Sequence, residues 1–213
     1  FLGPNYQPID DLRIMDGIAT LPAALLDEYR FTHVELTETT SIFTAVHSAG
    51  HVVGDDEELH PGFCLRNSEV GAAPVSLDDY FVNIRCLNGL VTKVGDKRSL
   101  YRRHGAIDDD VLHTALVTAI ARLPKRWSEE LVIIGRAAAI DVEHPDSEVE
   151  LAFAGSGIAR HLVEAAQQEV LRAGDRTRWG VAQAITWAAH RVNQNPDVRF
   201  EMERLAGECL AGT

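Results

Sequence analysis

The sequence predicts an α+β fold, with an antiparallel sheet from the amino-terminal half packed by helices from the carboxyl-terminal half. Three observations lead there. Thr, Val, Ile and Phe gather in short runs before Val94, some of them alternating with period two. Beyond Ile107 the apolar residues recur at helical spacing and Ala becomes abundant. Strands come first and helices after, which is the α+β order rather than an alternating one. With 213 residues and 46% hydrophobic content the chain can build a proper core. It reads as a single domain over 1–213, with 1–105 mainly strands plus one helix and 106–213 mainly helices.

The elements follow in order. PIDDLRIMDGIATLPAALLDEYR opens on an Asp cap and spaces Leu12, Met15, Ile18 and Ala19 helically, until Pro22 interrupts. FTHVELTETT and SIFTAVHSAG read as strands joined by a turn at Glu38-Thr39-Thr40. HVVGDDEELHPG reads as a polar, acidic loop. FCLRNSEVG and VSLDDYFVNIRCLNGLVTKV read as two further strands. In the second, Tyr80, Val82, Ile84 and Cys86 share one face, and Phe81, Asn83 and Arg85 the other.

From Asp108 a helix is expected with acids at its start and Arg and Lys at its end, broken by Pro124. SEELVIIGRAAAIDVEHPDSEVELAF is ambiguous in type. GSGIARHLVEAAQQEVLRAGD is a helix stopped by Gly174, with the GSG at 155–157 as its initiating turn. The final stretch is helical with a break at Asn195-Pro196, and its Trp179, Val181, Ile185, Trp187, Val192 and Leu205 predict core or a subunit interface.

Net charge is −12, and a uniformly acidic molecule repels nucleic acid and anionic membrane. Polyanion binding therefore requires a local basic patch. KVGDKRSLYRRH supplies one. Lys93, Lys97, Arg98, Arg102 and Arg103 stand against Asp96 alone, net +4, which leaves −16 on the rest of the chain. Tyr101 lies within the run. Cationic side chains for phosphates and a ring for a base are what a single-stranded nucleic acid site requires. The bland alternative is a solvated loop pairing with the chain's own acids, such as Asp108, Asp109 and Asp110.

A second cluster, Arg66, Asn67, Ser68, Glu69, Arg85 and Asn88, falls on two strands and their ends. It reads as a hydrogen-bonded lock fixing sheet register or as a ligand groove. Gly71 and Gly89 are expected where positive φ or close approach is needed. His47, His51 and His60 sit among Asp55, Asp56, Glu57 and Glu58 on strand and loop, where they do not share the helix face a metal would need, so no metal is assigned. No phosphate loop or other cofactor motif is present. Cys64, Cys86 and Cys209 form no CxxC and read as reduced thiols of a cytoplasmic protein. The start at Phe-Leu-Gly-Pro reads as a chain missing its natural beginning rather than a signal peptide.

YQP at 6–8, LRNSEVG at 65–71, RCLNG at 85–89, RRHG at 102–105 and RWGVAQAITWAAH at 178–190 occur in an order that resembles phage- and plasmid-borne proteins carrying domain of unknown function 932. The resemblance spans nearly the whole chain. Asn88-Gly89 and His104-Gly105 stand where a common variant of that family has Asn-Thr and His-Thr, which implies a subgroup. The resemblance implies a mobile-element protein and brings no catalytic residue with it. The expectation is a non-enzymatic nucleic-acid-binding protein, single-stranded DNA favoured, acting in recombination or replication as a homo-oligomer without a membrane. The alternative is a self-assembling structural or protein-interaction component. A nuclease or hydrolase using Asp55, Asp56 and Glu69 lacks catalytic spacing.

Overall fold

A computed structural model of the chain describes residues 6–53, 57–83, 88–92, 100–102 and 107–212. Among them the order is α1 (Asp11–Ala19), α2 (Ala23–Leu26), β1 (Tyr29–Leu36), β2 (Ser41–His47), β3 (His51–Val53), β4 (Glu57–Asn67), β5 (Val75–Asn83), β6 (Asn88–Thr92), β7 (Leu100–Arg102), α3 (Asp109–Ala138), α4 (Pro145–Ala152), α5 (Arg160–Ala173), α6 (Arg178–Arg191) and α7 (Pro196–Ala211). All strand pairs are antiparallel, in the order β1-β2-β4-β5-β6, with β3 also on β4 and β7 also on β5. The fold is α+β, its sheet drawn from the amino-terminal half and packed by the carboxyl-terminal helices.

Period two sorts the sheet into two faces. Phe43, Ala45, Phe63, Leu65, Leu77, Phe81 and Leu90 point to one face, where Ile14 and Ile18 of α1 and Leu116, Ile120 and Leu123 of α3 join them in the main core. Ile42, Cys64, Tyr80 and Val91 point to the other, against Phe200 of α7. Trp179, Val181, Ile185 and Leu205 are buried in the main core, and Trp187 packs against it half-buried. These residues serve internal packing, whereas Val192, just past the end of α6, is 39% exposed.

Several boundaries differ from expectation. The acidic loop is in part a hairpin, since β3 pairs with β4 through His51–Leu59 and Val52–Glu58. Val53 and Leu59 are buried on one face of this hairpin, while Val52 is exposed and Glu58 half-buried on the other. The long strand from Val75 is two described strands, β5 and β6, which pair with one another. Its face assignment holds as far as Asn83, while Ile84, Arg85 and Cys86 lie outside the described residues.

The helix expected to break at Pro124 runs through it as the 30-residue α3. An interior proline costs about 3 kcal/mol. Leu116, Ile120 and Leu123 before it and Trp127 and Ile134 after it are buried on one side of the helix. Each is worth about 1.5–3 kcal/mol, so continuity wins.

Candidate functional site

Of the basic run, Lys93, Lys97, Arg98 and Arg103 lie outside the described residues. Tyr101 and Arg102 belong to β7, with Tyr101 opposite Ser76 and Arg102 opposite Val75. β6 ends at Thr92 opposite Asp79, and β7 begins at Leu100 opposite Leu77. Both ends of the intervening segment are thus fixed on the same side of β5, two residues apart, a step of about 7 Å. Of the acids offered as internal partners, Asp109 is engaged by Arg13 at 2.6 Å. Asp108 and Asp110 are exposed at the start of α3.

The second cluster divides by the pleat of β4. Asn67 is fully buried and donates through Nδ2 to Ile9 O at 2.8 Å and to Asp11 Oδ1 at 2.6 Å. Asp11 also accepts from Ser41 Oγ. Glu69 Oε1 accepts from the Asp11 amide at 2.8 Å, and Tyr6 donates its hydroxyl to Glu69 O at 2.6 Å. Ser68 Oγ accepts from the Ala72 amide at 2.8 Å, and Gly71 turns the chain at φ 78°. Asn-Ser-Glu-Val-Gly is therefore a clasp that ties the start of α1 to the end of β4.

Arg66 points to the other face. Its guanidinium meets Asp197 of α7 at 2.8 Å and lies over the Phe200 ring, 5.0 Å from its centre. Asn88 pairs through its backbone with Asn83, and Arg85 lies outside the described residues. Arg66 and Asn67 do not converge on one groove.

Two buried polar groups escape sequence reading. Under α7, Tyr80 donates its hydroxyl to Glu203 Oε1 at 3.2 Å, and His190 Nε2 lies 2.6 Å from the same oxygen. The Gly89 amide also donates to His190 Nε2, at 3.1 Å. A Cβ at residue 89 would overlap the Tyr80 hydroxyl and approach Glu203, so only glycine fits there. Beside this group a cavity of about 30 Å³ is lined by His33, Thr44, Cys64, Tyr80, His190 and Glu203 among others. That is room for about two water molecules and for no larger substrate. Burial pushes the Cys64 thiol well up, aided by the charges of Glu203 and Asp78, and burial and Glu203 likewise push the Tyr80 phenol up. Both stay protonated, so the cavity holds no activated nucleophile.

Under α3, Asp79 pairs with Arg126, whose guanidinium is 3.9 Å from Glu130, and Glu130 accepts from Thr92 Oγ1. Burial pushes Glu130 up to about 8, with the Asp79 charge adding to it. It pushes Asp79 up to about 6 against the pull of Arg126. Asp79 and Glu130 are buried side by side and burial raises both, so the pair holds a proton near neutrality.

Two of the histidines in the acidic stretch, His47 and His60, have structural partners. His47 meets Glu28 at 3.2 Å and packs edge-on against Tyr29 and Trp127. His60 meets the His47 carbonyl at 3.0 Å. Among the described residues, no three His, Cys, Asp or Glu side chains come together to hold a metal ion. None of the helices there is long and apolar enough to cross a membrane.

The pairings Tyr80–Glu203 and Asp79–Arg126 join residues far apart in the chain. The available signals were Glu203 set between Met202 and Leu205 and two adjacent acids inside a strand of apolar residues. The chain matches no family model, and no curated protein and no solved structure matches it at a significant level.

Proposed function

We propose that this is a nucleic-acid-binding protein of a phage or plasmid, taking single-stranded DNA during recombination or replication in a prokaryotic cytoplasm, with Lys93, Lys97, Arg98, Tyr101, Arg102 and Arg103 as its contact surface. The observation that carries the reading is charge segregation, net +4 over twelve residues against −16 elsewhere. The pairing of Thr92 and Leu100 at neighbouring positions on β5 supports it, because the strands that flank Lys93, Lys97 and Arg98 in the chain meet one strand close together. The water-sized cavity and the protonated Cys64 and Tyr80 give no support to a hydrolytic reading.

Fluorescence anisotropy with labelled single- and double-stranded oligonucleotides tests it. If all five cations of the run meet single-stranded phosphates, log K falls against log salt with a slope of roughly −3.5. Replacing Lys97, Arg98, Arg102 and Arg103 by Glu abolishes binding. Absence of binding at low salt, or binding unaltered by these substitutions, overturns the assignment.

A further inference from the structure

β1 is an edge strand whose sequence is complementary to itself. Among the described residues it pairs with β2 and with no other strand, so its outer side offers unpaired backbone over eight residues. Edges are protected by Lys, Pro, other charges, bulges or a covering element. YRFTHVEL has no Lys or Pro, and it leaves Phe31 38%, Val34 55% and Leu36 70% exposed.

The register against β2 shifts between Phe31 and His33, making Thr32 a bulge. The extra residue has a consequence for facing. Phe31 lies opposite Ala45 and Val34 opposite Phe43, both core-face residues, although three positions separate them. Without the bulge they would point to opposite faces. Tyr29 and Leu36 share that face, while Arg30, His33 and Glu35 lie opposite Val46, Thr44 and Ile42 on the other.

Set antiparallel against a second β1, the strand then matches at each arm. Tyr29 meets Leu36, Arg30 meets Glu35 and Phe31 meets Val34 of the second copy, each pair on one face, and the same three pairs recur across the two-fold axis. The two charges of opposite sign thus fall opposite one another twice. At the axis each Thr32 lies opposite His33 of the second copy, so the two bulges sit beside one another and neither falls against a regular stretch of strand. Glu35 already contacts Arg199 of α7 in its own chain, which holds its carboxylate in place for a second cation.

We infer that β1 is a homodimer interface, through which two copies join their sheets edge to edge. The pairing does not depend on nucleic acid, and the test is made without it. Sedimentation equilibrium of the full chain is expected to show a reversible dimer. Arg30→Glu, at an exposed position, sets Glu against Glu twice and raises the dissociation constant by at least about tenfold.

The decisive arm mixes two variants. Glu35→Arg with Arg199→Glu keeps the internal ion pair with its sign reversed, and alone it sets Arg against Arg. Mixed in equal amounts with the Arg30→Glu chain, it forms a heterodimer in which both cross-strand pairs are again opposite in charge. Val34→Lys, also exposed, gives a check free of that charge logic and weakens the dimer on its own. A monomeric wild type, a dimer indifferent to Arg30→Glu or Val34→Lys, or no recovery on mixing two folded variants overturns the inference.

Discussion

Under α3 the sheet presents Phe43, Phe63, Leu65 and Phe81, whereas under α7 it presents Thr44, Arg66 and Tyr80 among fewer apolar side chains. The α3 side holds by burial of area, which is non-directional, and keeps one charged island at Asp79, Arg126 and Glu130. α7 crosses its face by named polar contacts. Arg199 meets Glu35 on β1, Asp197 meets Thr40 at 2.5 Å and Arg66 on β4 at 2.8 Å, Glu203 meets Tyr80 on β5, and Gly207 lets the helix backbone approach Val91 O of β6. Apolar contact supplies adhesion on one side. Directional pairing on the other side fixes where the helix lies, because each polar group, once buried, has to find its own partner.

The largest test of this contrast is Arg126→Leu. It removes the guanidinium beside Asp79 and Glu130, and breaking a buried ion pair costs about 3–5 kcal/mol. Urea unfolding is expected to show that loss, and a change below about 1 kcal/mol would mean that the island is not held by its ion pair. Next comes Asp197→Ala, which strips acceptors from Thr40 and Arg66 at the start of α7. About 1–3 kcal/mol is expected. Hydrogen exchange is expected to rise first in α7 and not in α3, and uniform acceleration would erase the distinction between the faces.

The smallest effect per unit is the pH response, and it has opposite signs on the two faces. Burial would raise Asp197, but hydrogen bonds from Thr40 and Arg66 overcome it and hold the carboxyl below its ordinary 3.8. Its contribution is present above that value and is lost as pH falls through the lowered one. Glu130 is raised from 4.5 to about 8, so the folded chain holds a proton that the unfolded chain releases. That contribution is present below pH 4.5 and is lost as pH rises towards 8, at no more than about 1.4 kcal/mol per pH unit. Stability profiles of Glu130→Gln and Asp197→Asn separate the two. The first flattens the alkaline side and the second the acid side, and the reverse assignment would refute the reading.

The sequence disclosed the sheet through β-prone runs, as in β2 and in β5 up to Asn83, both of which are covered on the two faces, and it disclosed α5 by its Gly174 stop at φ 74°. It misled at Pro124, where a local rule was outweighed by burial on both sides of the break. The clasp at Asn67 and Glu69 was visible as a polar cluster, but its partners Ile9 and Asp11 were not, being nearly 60 residues away. Arg66 was grouped with Asn67 by adjacency, and the pleat sends adjacent residues to opposite faces. The links of Glu203 to Tyr80 and His190 depend on where α7 crosses, which no local pattern encodes.

The packing of Phe200 over Cys64 has a consequence for how motion in this molecule can be watched. Cys64 is 1% exposed and burial pushes its thiol well up, whereas alkylating reagents consume thiolate. Modification of Cys64 therefore waits for α7 to rise from the strands, and its rate counts those departures. Cys209, half-buried near the far end of the same helix and raised to about 11, supplies a second clock. With Cys86 replaced, the ratio of the two labelling rates tells whether α7 peels from one end or lifts as a rigid rod.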